Sequence, residues 1–201
     1  PLNCKVYPLG LNYKIKVNTR IKGINETVKD FILNNEILRT IFRKSERTFK
    51  SKKFEFYPLP QKINKILFFT RLWNPDIAPT KLWKEQIEQL NRDRVNFIRA
   101  CRMEFSNHFM GGIQKDDFSI RYSIALISPF DLTKKGAFLN LIKEHNICIA
   151  TTGLYNSIGW KFAEYIAASR AIVSEPLVYL LPGEFKKRKN YLVFSNENEL
   201  I

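Results

Sequence analysis

Residues 147–176 read ICIATTGLYNSIGWKFAEYIAASRAIVSEP, and this stretch decides the fold. Asn146 to Thr151 is a short apolar run of the kind found in strands buried on both faces. It opens into Thr152-Gly153, and Ser157 to Ala168 then reads as a helix. A second apolar run, Ala171-Ile172-Val173-Ser174, stops before Glu175-Pro176. Strand, turn, helix and strand in this order make a βαβ unit, whose strands must lie parallel.

The same alternation extends in both directions. Upstream, Asp131 to Glu144 is helical, with Leu132, Ala137, Phe138, Leu141 and Ile142 on one face. Phe109 to Ile113 reads as a strand running into a loop. A long helix is expected from Thr80 to Phe105, its stripe formed by Trp83, Ile87, Leu90, Phe97, Ile98 and Cys101. Before it, Lys65 to Thr70 is another doubly buried strand, ending in the turn Arg71 to Asp76. Downstream, a loop through Leu181-Pro182-Gly183 leads to a last strand, Tyr191 to Phe194, and Ser195 is a candidate N-cap for a further helix. The fold class is therefore α/β, a Rossmann-like parallel sheet flanked by helices, over residues 61–201.

Residues 1–60 differ in character and form a basic lead-in segment. Pro8 to Tyr13 is a tight stretch, residues 25–50 carry a helical stripe from Val28 to Phe42, and Pro58-Leu59-Pro60 interrupts regular structure. The net charge of +14 is uneven: residues 1–53 hold thirteen Lys and Arg against four Asp and Glu. Such a face attracts nucleic acid, anionic lipid or a phosphorylated substrate, or is simply solvated. Both ends look cut, so the chain reads as a piece of a longer protein.

Several classes of function are disfavoured. No run of about 18 apolar residues suits a membrane span, and the start lacks a secretory pattern. Cys4, Cys101 and Cys148 have no paired spacing and read as reduced, buried thiols of a cytosolic protein. With His108 and His145 as the two histidines and no CxxC, no metal site is expected. The glycine spacing is not GxGxxG, which disfavours a nicotinamide cofactor, and the GxSxG elbow of hydrolases is absent.

In open α/β sheets, ligands bind beyond the carboxyl ends of the strands. That rule selects Thr70-Arg71, the segment from Thr151 to Gly159, and Glu175-Pro176. The middle segment is the richest. Thr152, Gly153, Ser157 and Gly159 are small, so their backbone N–H groups can face an anion at a helix N-terminus. Lys161 lies one turn inside, and Glu164 follows three residues later on the same face. A cation beside phosphate and a carboxylate beside a ribose diol are what a nucleoside diphosphate needs. Arg71 approaches from the neighbouring strand end. Spacing alone equally allows Lys161 and Glu164 to be a surface pair and Arg71 a solvated charge. Trp160 and Phe162 read as core rather than base-stacking residues.

Gly153 to Pro176 resembles the donor-site segment of GT-B glycosyltransferases of the group 1 type. In that family a glutamate on a helix precedes a small-residue stretch and an apolar strand ending in serine or threonine. Glu164 matches the glutamate that holds the ribose, and Ser169 to Val173 matches the turn and strand after it. Lys65 to Leu72 is similar to the first strand of the family's C-terminal domain, with Arg71 at the arginine that contacts donor phosphates. Pro8 to Tyr13 is similar to the interdomain stretch upstream. Many retaining members carry a second glutamate eight residues before the first, and here that position is Asn156.

The resemblance implies the C-terminal, nucleotide-sugar-binding half of a two-domain GT-B enzyme. The donor-binding set is Arg71, Thr152, Gly153, Ser157, Gly159, Lys161 and Glu164, with no metal and no cofactor beyond the nucleotide-sugar substrate. The implied partners are a glycan or lipid-linked acceptor, the N-terminal domain of the same protein and an anionic membrane. The expected setting is surface-polysaccharide or glycan assembly, cytoplasmic or peripheral at the membrane, and this half alone is expected to be inactive. Two alternatives stand: a nucleic-acid-binding module using the basic lead-in, and a non-catalytic nucleotide-binding scaffold.

Overall fold

The computed structural model describes residues 49, 51–57, 60, 62–181, 183 and 185–201. The tight stretch Pro8 to Tyr13, the stripe from Val28 to Phe42, Cys4, Pro58-Leu59 and Pro182 lie outside the described residues.

The described chain alternates as expected. Its elements are β1 (Ile66–Thr70), α1 (Lys81–Phe105), β2 (Phe109–Ile113), α2 (Asp117–Ser123), α3 (Phe130–Thr133), α4 (Lys135–Glu144), β3 (Ile147–Ala150), α5 (Trp160–Ala167), β4 (Ala171–Ser174), β5 (Leu192–Val193) and α6 (Glu197–Leu200). The five strands form one sheet in the order β2-β1-β3-β4-β5. Every neighbouring pair is parallel, with Ile66 opposite both Phe109 and Ile147, and Ile147 opposite Ala171. The chain thus leaves β1 toward one edge and returns to build β3, β4 and β5 on the other side.

All five residues of β1 are buried, which is why its sequence is a continuous apolar run rather than an alternating one. Ile66 and Phe68 join Ile149 and the α1 residues Val95, Phe97, Ile98 and Cys101 in one core. On the other face the Phe69 ring meets Phe138 of α4 edge-on at 6.1 Å, and Phe138 in turn meets Tyr165 of α5 at 6.3 Å. Helices therefore cover both faces. Phe54 and Phe56 of the lead-in contact this body: Lys135 Nζ lies 5.5 Å from the Phe54 ring centre, and the Arg170 guanidinium 5.2 Å from that of Phe56.

β2 spans Phe109–Ile113, the run read as a strand, and includes Gly111-Gly112. A Cβ at Gly111 would stand 2.3 Å from the Phe68 carbonyl oxygen, so the glycine permits close approach to β1. The helix expected over Asp131 to Glu144 is two helices, because Lys134 is extended (ψ 141°) and the Thr133 hydroxyl bonds back to the Phe130 carbonyl at 2.8 Å. The expected helix from Ser157 begins only at Trp160. The last helix is capped by Asn196, whose side chain accepts from Glu199 N at 3.1 Å, rather than by Ser195. The capping box of α2, Asp116 with Ser119, was not read from the sequence at all.

Candidate functional site

The sheet order reverses between β1 and β3, and the crevice at that reversal is where open α/β sheets take ligands. A cleft of about 200 Å³ lies there. Thr70 and Arg71 line it from β1, Thr151 and Thr152 from β3, and Ser174 from β4. Arg94 of α1 and Gly159, Trp160 and Lys161 at the start of α5 complete the polar and aromatic wall, with Trp73 beside Arg71.

Two residues of α1 build the β1 side of the cleft. Asn91 is wholly buried and grips the Trp73 backbone twice, donating to its carbonyl at 2.7 Å and accepting from its N–H at 3.0 Å. One turn on, Arg94 donates to the Arg71 carbonyl at 2.6 Å and to the Thr152 carbonyl at 2.9 Å. Its guanidinium thereby ties the ends of β1 and β3 together across the cleft. Burial pushes its pKa down to about 10, with the Glu175 carboxylate opposing and Arg71 adding to the shift. Sequence reading missed both residues. Their signal was positional: Ile87, Asn91, Arg94, Ile98 and Cys101 follow the helical period, so two polar residues occupy buried stripe positions.

Lys161 reaches the floor of the cleft. Its ammonium donates to the Phe69 carbonyl and lies 5.2 Å from the Phe138 ring centre. The residue keeps partial exposure, but the charged end is enclosed. Burial accordingly pushes its pKa down to about 7, with repulsion from Arg94 and Lys135 adding to the shift and Glu164 opposing it. Arg71 is exposed at the rim and stacks over the Trp73 ring at 4.9 Å.

The three strand ends singled out from the sequence do come together. The Glu175 carboxylate accepts from Thr152 N at 2.6 Å and Thr152 Oγ1 at 3.1 Å. Burial raises the Glu175 pKa, and those two bonds with Arg94 oppose the rise. Arg71, Thr152, Gly159 and Lys161 all line the cleft.

The remaining predicted positions sit differently. Gly153 N donates to the Ser157 carbonyl at 2.8 Å, and Ser157 N to the Leu154 carbonyl at 3.1 Å. With Thr152 N bonded to Glu175, three of the N–H groups expected to face an anion already have partners. The Ser157 carbonyl, turned back to Gly153, cannot open the helix, which explains the late start of α5. Glu164 is 2% exposed and pairs with Lys135 of α4, outside the lining of the cleft. It is therefore neither a surface partner of Lys161 nor placed to grip a ribose in this conformation. Trp160, expected in the core, is 58% exposed at the cleft, whereas Phe162 is buried as expected.

Asn156, the position of the second family glutamate, has φ 56° and follows Tyr155 at φ 55°. In left-handed backbone asparagine is tolerated far better than glutamate. Cys101 and Cys148 are buried free thiols, and burial pushes the Cys101 thiol up to about 12. Among the described residues no helix is long and apolar enough to cross a membrane.

Comparison with family models and with curated proteins gives no match. A solved structure similar to this chain is the C-terminal domain of a glycosyl transferase group 1 family protein (LpcC) from Francisella tularensis. The two share 10% identity over 76% of this chain and 83% of that one, with a TM-score of 0.46.

Proposed function

We propose that the cleft between the ends of β1 and β3 binds the diphosphate of a nucleotide sugar, and that the chain is the donor-binding half of a glycosyltransferase. One observation carries the reading: Arg71, Arg94 and Lys161 line the cleft at the reversal of strand order, and among the described residues its lining holds no carboxylate, the nearby Glu175 being bonded to Thr152. An anion there meets three positive groups in surroundings that strengthen each attraction. Arg94 contributes charge while its N–H groups hold the strand ends. Arg71 and Lys161 are the side chains able to turn toward a phosphate. As the glycosyl bond breaks, charge accumulates on the leaving diphosphate, and these cations stabilise it. The acceptor and any base come from another domain.

A panel of UDP, GDP, CMP, ADP and inorganic pyrophosphate in a thermal-shift assay tests this. One nucleoside diphosphate is expected to raise the Tm, since a ligand held by the native state alone stabilises it by mass action. Arg71→Ala and Lys161→Ala should each weaken binding about tenfold or more, the scale of a charge-assisted bond. No shift with any member of the panel at high concentration sinks the proposal.

Asn156, at the position of the second family glutamate, favours a second reading, a nucleotide-binding scaffold without transfer activity. It predicts nucleotide binding by this chain and no sugar transfer by the full-length protein under any acceptor tried.

A further inference from the structure

Lys161 sits in the cleft in a way that phosphate binding alone does not require. Among the described residues its ammonium has one hydrogen-bond partner, the Phe69 carbonyl of β1. The Phe138 ring of α4 lies 5.2 Å away. No carboxylate pairs with it: Glu164, on its own helix, is bonded to Lys135 of α4, and Glu175, after β4, to Thr152. The charged groups within electrostatic reach are Arg94 of α1, Lys135 and Glu164, so two cations act against one carboxylate. Burial and those cations hold the amine toward its neutral form, with a pKa of about 7. At pH 7 about half of this side chain is then neutral, against roughly one in 2,500 of an exposed lysine.

Arg94 supplies an independent observation. It is 8% exposed and lines the same cleft. Its two Nη groups serve the Arg71 and Thr152 carbonyls. Its Nε–H is buried and has no hydrogen-bond partner among the described residues. A buried donor on a cation costs free energy until an acceptor meets it, and an anionic oxygen meets it best. An unmet donor and the Arg71 charge therefore share a cleft with an amine that has a free lone pair.

We propose that Lys161 is a covalent modification site, its amine condensing with a small aldehyde that carries a phosphate, the phosphate being held by Arg71 and the Arg94 Nε–H. The Nζ lone pair adds to the carbonyl carbon and forms the C–N bond, while the carbonyl oxygen takes up the proton that nitrogen gives away. The resulting carbinolamine loses water, so amine and aldehyde yield an imine and one water. Lysines enter this chemistry where an apolar pocket or a neighbouring cation keeps the amine unprotonated. An aldehyde without phosphate lacks the anchor, and a phosphate without a carbonyl binds but forms no bond. The adduct fills the cleft and shuts out a nucleotide, so a phosphorylated aldehyde blocks the site. This rests on the anion-binding part of the reading above, and not on the anion being a nucleotide.

The test treats the full chain at pH 7 with pyridoxal 5′-phosphate or with pyridoxal, then with borohydride, whose hydride converts the imine to a stable secondary amine. Peptide masses then locate the label. Lys161 should be labelled at least about tenfold more than the exposed Lys62 and Lys187. Pyridoxal should label it about tenfold less, the scale of a charge-assisted bond, and inorganic pyrophosphate should protect it. Lys161→Arg keeps the charge and should lose the label at an unchanged melting temperature. If that variant does not fold, the position of the label in the parent decides. Label spread evenly over exposed lysines, or equal labelling by pyridoxal, overturns the proposal. A nucleotide-induced thermal shift without the Lys161 adduct overturns it while leaving the nucleotide reading in place. The adduct without any nucleotide shift upholds it and removes that reading.

Discussion

Lys161 carries an uncommon combination for a lysine: a carbonyl partner on β1, an aromatic ring nearby and two other cations within electrostatic reach. Burial holds its folded pKa near 7, below the roughly 10.4 of an unfolded lysine. Between those values the unfolded chain binds more protons, so this residue's contribution to stability improves as pH rises through that window. Below about pH 7 the native state bears the full cost of the enclosed charge. Lys161→Met should therefore be more stable than the parent at acid pH, with the gap narrowing toward alkaline pH, as read by denaturant titrations across the range. An anion in the cleft favours the charged form, so its affinity should fall as pH rises above 7. A gap that does not change with pH would show the ammonium to be solvated. The burial of Glu164 was not legible, since spacing read it as a ribose contact or a surface partner of Lys161, and its actual partner, Lys135, lies 29 residues away on another helix.

At the scale of elements, α5 shows how a short helix is bounded. Its end is a Schellman motif: Arg170 N donates to the Tyr165 carbonyl at 3.0 Å and Ser169 N to the Ile166 carbonyl at 2.9 Å. The pivot is Ser169, at φ 54°, a conformation that glycine adopts without the Cβ penalty. Ser169→Gly should raise stability by about 0.5–1 kcal/mol, measured as a shift of the denaturation midpoint at constant slope. The start of α5 was misread because hydrophobic periodicity runs on through Ile158, while the left-handed pair Tyr155-Asn156 turns the chain before it. Asn156 is of a type that tolerates that conformation, but Tyr155 does not announce it, being held there by its contacts. Its ring lies 5.9 Å from that of Trp83, and its carbonyl accepts from Tyr179.

Across the whole molecule, the cleft exists because the sheet reverses its order between β1 and β3 and because α1 fastens the two strand ends. Arg94 is that fastening. Arg94→Ala leaves the Arg71 and Thr152 carbonyls without their donor and opens a space behind the cleft. A loss of about 2–4 kcal/mol is expected in denaturant unfolding, with weaker ligand binding than Arg71→Ala gives. Retention of full stability would mean that backbone pairing alone holds the strand ends.

The sequence by itself determined the alternation of strands and helices, the burial of β1 on both faces and the three strand ends that meet at the cleft. Each follows from local periodicity and a general rule of open sheets, and needs no knowledge of distant contacts. Only the tertiary structure decided which groups face the cleft. Gly153 and Ser157 spend their N–H groups on each other's loop, Glu164 turns to Lys135, Trp160 moves outward, and Arg94 reaches in from a helix far along the chain. A side chain's role depends on which partner satisfies it first, and that partner is set by packing between elements distant in sequence.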